Sequence, residues 1–312
     1  MMGEYFMVKK SGLRMSLALV VALPAFVAAA GVGTTGAQFL KMGVGARPLA
    51  MGGAFSALPD DANAVNWNPG ALGVIQKQGV TASYNSLFQD QSQGFVGYVR
   101  PLAEEKGTFA AGVNYLTVGK IEKRAGDTED ADSTFSNQNF AVIGSYGRSG
   151  LAEGLSVGGS LKFIRTTLDT FHGNAVAVDF GGLYKTKIEN LTFGGSMQNL
   201  GTNVGSDPLP LMFKGGAAYR VLSQKLVLAS DIDWLAQDKR LYWDLGTEFW
   251  ANKNLAARAG YQFGRGADQL GSRLVGFAFG LGVWLEQFRM DYAFVPFGNL
   301  GDTHRITLGW NF

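Results

Sequence analysis

The last nine residues, His304 to Phe312, alternate strictly. His304, Ile306, Leu308, Trp310 and Phe312 fall on one face, and Arg305, Thr307, Gly309 and Asn311 on the other. A strand of this pattern presents a continuous apolar face that only a core or lipid can cover. The same period, bulky on one side and small or polar on the other, recurs through most of the chain. The segment therefore reads as the closing stave of an all-β, antiparallel transmembrane barrel.

Composition agrees. The chain has 44 glycines in 312 residues, is only 17% charged and is 12% aromatic, without the three-residue period of collagen. Small lumen-facing residues and aromatic girdles produce this mixture. Cysteine is absent, which excludes thiolate catalysis and cysteine metal sites. The 27 basic and 25 acidic residues give no reason to expect nucleic acid.

Lys9, Lys10 and Arg14 precede an apolar run from Met15 to Ala30 that ends in small residues, the pattern of a secretory signal peptide over residues 1–30. No later run is long and apolar enough for a spanning helix. From Gly79 to Phe312, about fourteen period-two segments succeed one another: 79–86, 93–101, 107–119, 136–148, 153–166, 173–185, 190–199, 210–221, 224–235, 240–250, 254–264, 272–285, 287–296 and 303–312. An even count puts both barrel ends on one side, the periplasmic side of an outer membrane. Short turns at Glu104–Lys106, Ser149–Gly154, Ser223–Gln224, Asn252–Lys253 and Glu286–Gln287 fit that side. Longer connections at Lys120–Ser136, Thr166–Gly173 and Gly201–Leu209 fit the outer one.

The faces set the register. Val275, Phe277, Phe279, Leu281, Val283 and Leu285 oppose Gly276, Ala278, Gly280 and Gly282; Phe288, Met290, Tyr292 and Phe294 oppose Arg289, Asp291 and Ala293. Exchanging the faces would put Arg289 in hydrocarbon at a cost of about 2–4 kcal/mol near the midplane. The same projection turns Lys162, Asp179, Lys214, Arg220, Asp231, Asp233, Asp244, Glu248, Arg258, Arg273 and Arg289 toward the lumen. Two readings of these charges stand. They form an internal ion-pair network that stiffens a plugged barrel, or some of them line a solute path or dock a plug.

Residues 31–78 do not alternate. Asp60 and Asp61 precede Ala62 to Val65 as helix-entry residues and Pro69–Gly70 ends the helical stretch, so one or two short helices are expected. Phe39, Leu40, Met42, Leu49, Met51, Phe55, Leu58 and Trp67 need apolar cover, which the barrel interior supplies if this segment is a hatch. Gly43 and Gly45 lack the strand and lysine of a phosphate loop. His172 and His304, the only histidines, project beside no serine and acid, so an enzyme is not expected. Asp127, Glu129, Asp130 and Asp132 lack the glycine and terminal glutamate of a calcium loop and read as a solvated outer loop. Neither a metal nor another cofactor is expected.

The stretch FLKMGVGARPLAMGGAFSALPDDANAVNWNPGALG resembles the N-terminal signature of the PorV/PorQ family, within the superfamily of FadL-like long-chain fatty-acid transporters. MQNLG at Met197–Gly201, NLAARAGYQF at Asn254–Phe263 and the ending FRMDYAFVPFGNLGDTHRITLGWNF are similar to the same family. The resemblance implies a fourteen-stranded barrel with an N-terminal hatch. It maps the superfamily's Asn-Pro-Ala hatch motif onto Asn68 and Pro69, with Gly70 in place of Ala, and places Asp60, Asp61 and Trp67 in the same block. It also implies that Trp310 and Phe312 form the terminal signal read by the barrel-assembly machinery. Two functions are implied as expectations: passage of a hydrophobic or amphipathic solute across the outer membrane, or a type IX secretion scaffold or shuttle that binds exported proteins.

Overall fold

The computed structural model describes residue 33 and residues 35–103, 106–266 and 270–312. The signal segment expected over residues 1–30 lies outside the described residues, as does Glu104. Fourteen antiparallel strands close into one barrel. They are β1 (Gly79–Ser86), β2 (Gln91–Pro101), β3 (Thr108–Lys123), β4 (Ser133–Ala152), β5 (Leu155–Leu168), β6 (Phe171–Lys185) and β7 (Leu191–Gly201), then β8 (Met212–Val221), β9 (Leu226–Leu235), β10 (Arg240–Trp250), β11 (Leu255–Phe263), β12 (Phe277–Leu285), β13 (Phe288–Pro296) and β14 (Asp302–Asn311).

Closure runs through β1 and β14, paired from Gly79 with Asn311 to Ser86 with His304. The first strand therefore starts, and the last ends, at the same rim, called here the terminal rim. No open sheet edge is left along this seam. Alternation in β14 follows the sequence reading, with Thr303, Arg305 and Thr307 buried inside and Ile306, Leu308 and Trp310 exposed outside. Leu161, Leu281 and Phe109 are 59%, 56% and 55% exposed, and similar side chains circle the barrel. So continuous an outward apolar belt matches a hydrocarbon solvent.

The strands depart from the sequence reading mainly at the far rim. β3 runs on to Lys123 and β4 begins at Ser133, so the loop expected over Lys120–Ser136 shrinks to residues 124–132. Its strands continue across a bulge between Val118 and Ile121, where Lys120 has φ 56°. The connection expected over Thr166–Gly173 is a two-residue turn, because Thr167 pairs with His172 and Leu168 with Phe171. Backbone pairing persists here on polar Thr, Ser and Asn residues, where apolar alternation has already ended. Conversely, β12 begins at Phe277 rather than 272: Gly276 has φ 100°, Val275 is buried instead of facing lipid, and Arg273 lies exposed in the preceding turn. The lumen assignment of Arg273 is therefore wrong, since period-two projection fails across a turn.

The lumen is filled by the segment that precedes β1. It contains a 3-10 turn (Gln38–Lys41), helix α1 (Ala46–Ala50), helix α2 (Ala64–Trp67) and a second 3-10 turn (Pro69–Val74). This hatch runs the length of the barrel. Gly36 N–H donates to Pro208 O, in the far-rim connection after β7, at 2.9 Å, whereas Ile75 O accepts the Thr108 hydroxyl of β3 at the terminal rim. Phe39, Leu40, Met51, Phe55, Leu58, Val65 and Trp67 are buried within one apolar cluster that includes barrel residues such as Phe95, Ile143 and Ile164. Close approach to the wall depends on glycine. Gly52 has φ 69°, and a Cβ there would sit 2.7 Å from the Tyr261 backbone nitrogen of β11.

Candidate functional site

Helices of one turn have little stability of their own, so the hatch holds its shape through polar contacts with the wall. The strongest set is a chain of buried charges. Arg47 of α1 grips Glu248 of β10 with two hydrogen bonds, Nε to Oε2 at 2.7 Å and Nη2 to Oε1 at 2.9 Å, and its Nη1 donates to Asp60 at 2.7 Å. Glu248 Oε2 also accepts Arg258 Nε of β11 at 2.7 Å, and Arg258 Nη1 donates to Asp291 of β13 at 2.7 Å. Arg289 of β13 closes the chain by pairing with Asp61 of the hatch and, at 3.2 Å, with Asp291. The guanidiniums of Arg47 and Arg289 both lie over the Trp284 ring, at 5.7 and 5.2 Å from its centroid.

Burial opposes charge on Arg47, but the attraction of Asp60 and Glu248 outweighs it and holds the guanidinium pKa well above its ordinary value.

A second set fixes the segment Asn68–Pro69–Gly70. The buried Asn68 amide donates to Ser56 O at 2.8 Å and to Gly182 O of β6 at 3.0 Å, while its oxygen accepts Gly70 N–H at 2.9 Å. Ser156 of β5 donates its hydroxyl to Gly70 O at 2.5 Å. Trp67 donates Nε1–H to Val44 O at 2.9 Å and meets Phe55 edge-on at 5.8 Å; its own carbonyl accepts the Gln198 amide of β7 at 2.8 Å. Asp61 does not cap α2, whose N-cap is Asn63. It accepts Asn63 N–H at 2.8 Å in a local turn and spends its other oxygen on Arg289. The expectation that Asp60 and Asp61 start the helix is corrected accordingly: Asp61 pairs with Arg289 of the wall and Asp60 with Arg47 inside the hatch.

Asp231 is a third anchor, accepting the backbone N–H groups of Phe55 and Ser56 at 3.0 and 2.7 Å. Beside it, Asp233 pairs with Lys214, whose ammonium lies 4.9 Å from the Trp67 ring centroid. Lys162 pairs with Asp179 at 2.7 Å, and Lys41 of the hatch with Asp238 at 2.5 Å. The structure thus places Asp231, Asp233, Asp244, Glu248, Arg258 and Arg289 in the lumen and brings Glu248, Arg258 and Arg289 into one network with Asp60 and Asp61. Sequence reasoning missed Arg47, although a lone arginine in an apolar hatch is itself a signal that a buried acid awaits it. Lys41 and Asp238 were missed as well.

Between the hatch and the far rim lies a cavity of about 460 Å³, within the range of small-molecule sites. Met42, Leu49, Trp67, Phe88 and Phe297 supply apolar walls, and Lys214, Asp233, Asp244, Arg265 and Arg305 supply charge. His304 stands outside this cavity on the outward face, with Nδ1 2.7 Å from the Tyr292 hydroxyl.

Fold, belt and filled lumen together define an outer-membrane β-barrel plugged by its own N-terminal segment. The family model for "Type IX secretion system protein PorV" matches residues 28–207, more than half of the chain, and the chain belongs to that family. Among solved structures, it is similar to the toluene transporter TodX of P. putida, with a TM-score of 0.63 at 13% identity over 86% of this chain and 99% of that one. The Ralstonia pickettii toluene transporter TbuX gives a TM-score of 0.61 at 13% identity, over 86% and 98% of the two chains. At such identities these likenesses show the shared fold. No curated protein sequence matches this chain.

Proposed function

We propose that this barrel passes hydrophobic or amphipathic cargo across the outer membrane, with the hatch as the element that sits in its path. The observation that supports this reading best is the cavity on the far-rim side of the hatch, whose apolar walls carry a few charged groups. The shared fold with toluene transporters adds to it. On this reading residues 1–30 are a signal peptide, the terminal rim is periplasmic, and the long strands β3–β6 project outward. Uptake of a labelled amphipath by a deletion strain tests it: uptake should fall when the chain is removed, and unchanged uptake counts against passage.

A second reading has its own support in the family match: the barrel receives exported proteins as a secretion scaffold or shuttle. It predicts co-purification with exported proteins or other secretion components in mild detergent. Isolation as a solitary barrel counts against it.

Trp310 and Phe312 are proposed to form the signal read by the barrel-assembly machinery. Their rings lie 5.3 Å apart on the outward face, each 53% exposed, and Phe312 adds one backbone bond to Gln78 O. So little local stability depends on Phe312 that its deletion should leave folding in detergent nearly unchanged. In cells, however, it should sharply lower the amount of heat-modifiable barrel in the outer membrane. Normal insertion without Phe312 removes the signal role.

A further inference from the structure

The cavity beside the hatch holds buried charged side chains that have no ion pair among the described residues. Asp244 of β10 is 0% exposed, lines the cavity, and neither of its carboxylate oxygens has a hydrogen-bond partner among the described residues. The Gln262 side chain approaches it, and the Lys214 ammonium, paired with Asp233, attracts it without forming an ion pair. Arg305 of β14, 4% exposed, lines the same cavity with no acid paired to it and with Nε unpartnered among the described residues. Arg265, which follows β11, spends Nε on the Gln262 oxygen and stacks on Phe297 at 4.9 Å, leaving Nη1 without a partner among the described residues. Arg265 and Arg305 act on each other as like charges, and Asp244 attracts Arg265 across the cavity without forming an ion pair.

Buried charges of this kind are costly unless something pairs with them. A purely anionic ligand would satisfy the arginines and be repelled by Asp244; a purely cationic one would meet the reverse. Only a ligand that carries both signs satisfies both walls. Leu49, Trp67, Phe88 and Met212 of the same cavity offer apolar contact to whatever chain is attached.

We propose that this cavity binds the zwitterionic headgroup of an amphipath, with its ammonium at Asp244, its acidic group between Arg265 and Arg305, and its chain along the apolar wall. The proposal rests on the cargo reading above and names the class of cargo. The probe is a dodecyl lysophosphatidylethanolamine, titrated by calorimetry into the purified full-length barrel in an uncharged maltoside detergent. Dodecyl phosphate, dodecylamine and chain-free phosphoethanolamine serve as comparators.

The zwitterionic chain should bind at least about tenfold tighter than either singly charged chain, the effect of one charge-assisted bond. Asp244→Asn should abolish its advantage over dodecyl phosphate, and Arg305→Gln its advantage over dodecylamine. Each substitution removes a charge that has no ion pair among the described residues, so both variants should fold and keep or raise the temperature at which the barrel unfolds in heat-modifiability gels. The proposal is overturned if singly charged chains bind as tightly as the zwitterion, if Asp244→Asn leaves the preference intact, or if phosphoethanolamine alone binds equally well. A short peptide with free termini that binds as tightly also overturns it, by assigning the two charges to an exported polypeptide. Failure here with chain-dependent uptake intact removes the site alone; binding without uptake removes the passage reading alone.

Discussion

Glu248→Gln should release the hatch from the wall. Glu248 is 1% exposed and accepts bonds from both Arg47 and Arg258. Neutralising it leaves two buried guanidiniums sharing Asp60 and Asp291, and removing one partner of a buried ion pair costs about 3–5 kcal/mol. Because Arg47 lies on the hatch and Arg258 on β11, the loss falls on the joint between plug and barrel rather than on the strand ladder, whose backbone bonds are unchanged. The expected result is a barrel that still migrates as folded in a cold gel but whose hatch is cut by added protease, with ion conductance appearing in planar bilayers. Combining Glu248→Gln with Arg47→Gln should cost less than the sum of the two single changes, since residues of one network couple. A protease-resistant hatch in Glu248→Gln would show that apolar packing alone seats it.

Gly70→Ala should unseat a second part of the hatch. A Cβ at Gly70 would lie 2.5 Å from the carbonyl carbon of Gly181 and from the nitrogen of Gly182, both backbone atoms of β6 that no rotamer change can move. The Asn68 amide reaches Gly182 O only because the turn lies this close. Overpacking of this kind costs about 1–3 kcal/mol, and here it should also break the Asn68 and Ser156 bonds. The same contact explains why this chain cannot simply adopt the Ala of the motif it otherwise resembles. One small residue stands for another here, and the backbone contact is what makes the difference specific. Protease resistance and unfolding temperature equal to wild type would mean that the turn slides away from β6 at no cost.

The legible part of the fold came from period two. His304–Phe312 and Phe288–Pro296 put charges inside and bulk outside, and the strand count, the barrel closure and the lumen placement of Arg258 and Arg289 came with that. The errors have the same origin. Arg273 and Val275 were projected across a turn in which Gly276 reverses the backbone, and alternation cannot see where a ladder begins. Strands β3–β6 outrun their apolar belts because backbone pairing in water needs no apolar face. The hatch was visible as apolar residues without a period, yet Arg47–Glu248 joins positions 201 residues apart, and no local pattern encodes such a pair. Asp244 was visible as a lumen charge and Arg305 as part of the polar face of the last strand; that they face one cavity, with no ion pair among the described residues, is a property of the closed barrel alone.

Passage of amphipathic cargo through the plugged barrel is tested most directly by uptake of a radiolabelled dodecyl amphipath into cells that lack the chain. Parallel cultures restore the wild-type protein, and the export of surface proteins is followed in the same cells. Uptake should fall to background on deletion and return with the wild-type chain, while exported proteins still reach the surface. Unchanged uptake, together with exported proteins accumulating behind the outer membrane, would contradict it and assign this barrel to secretion.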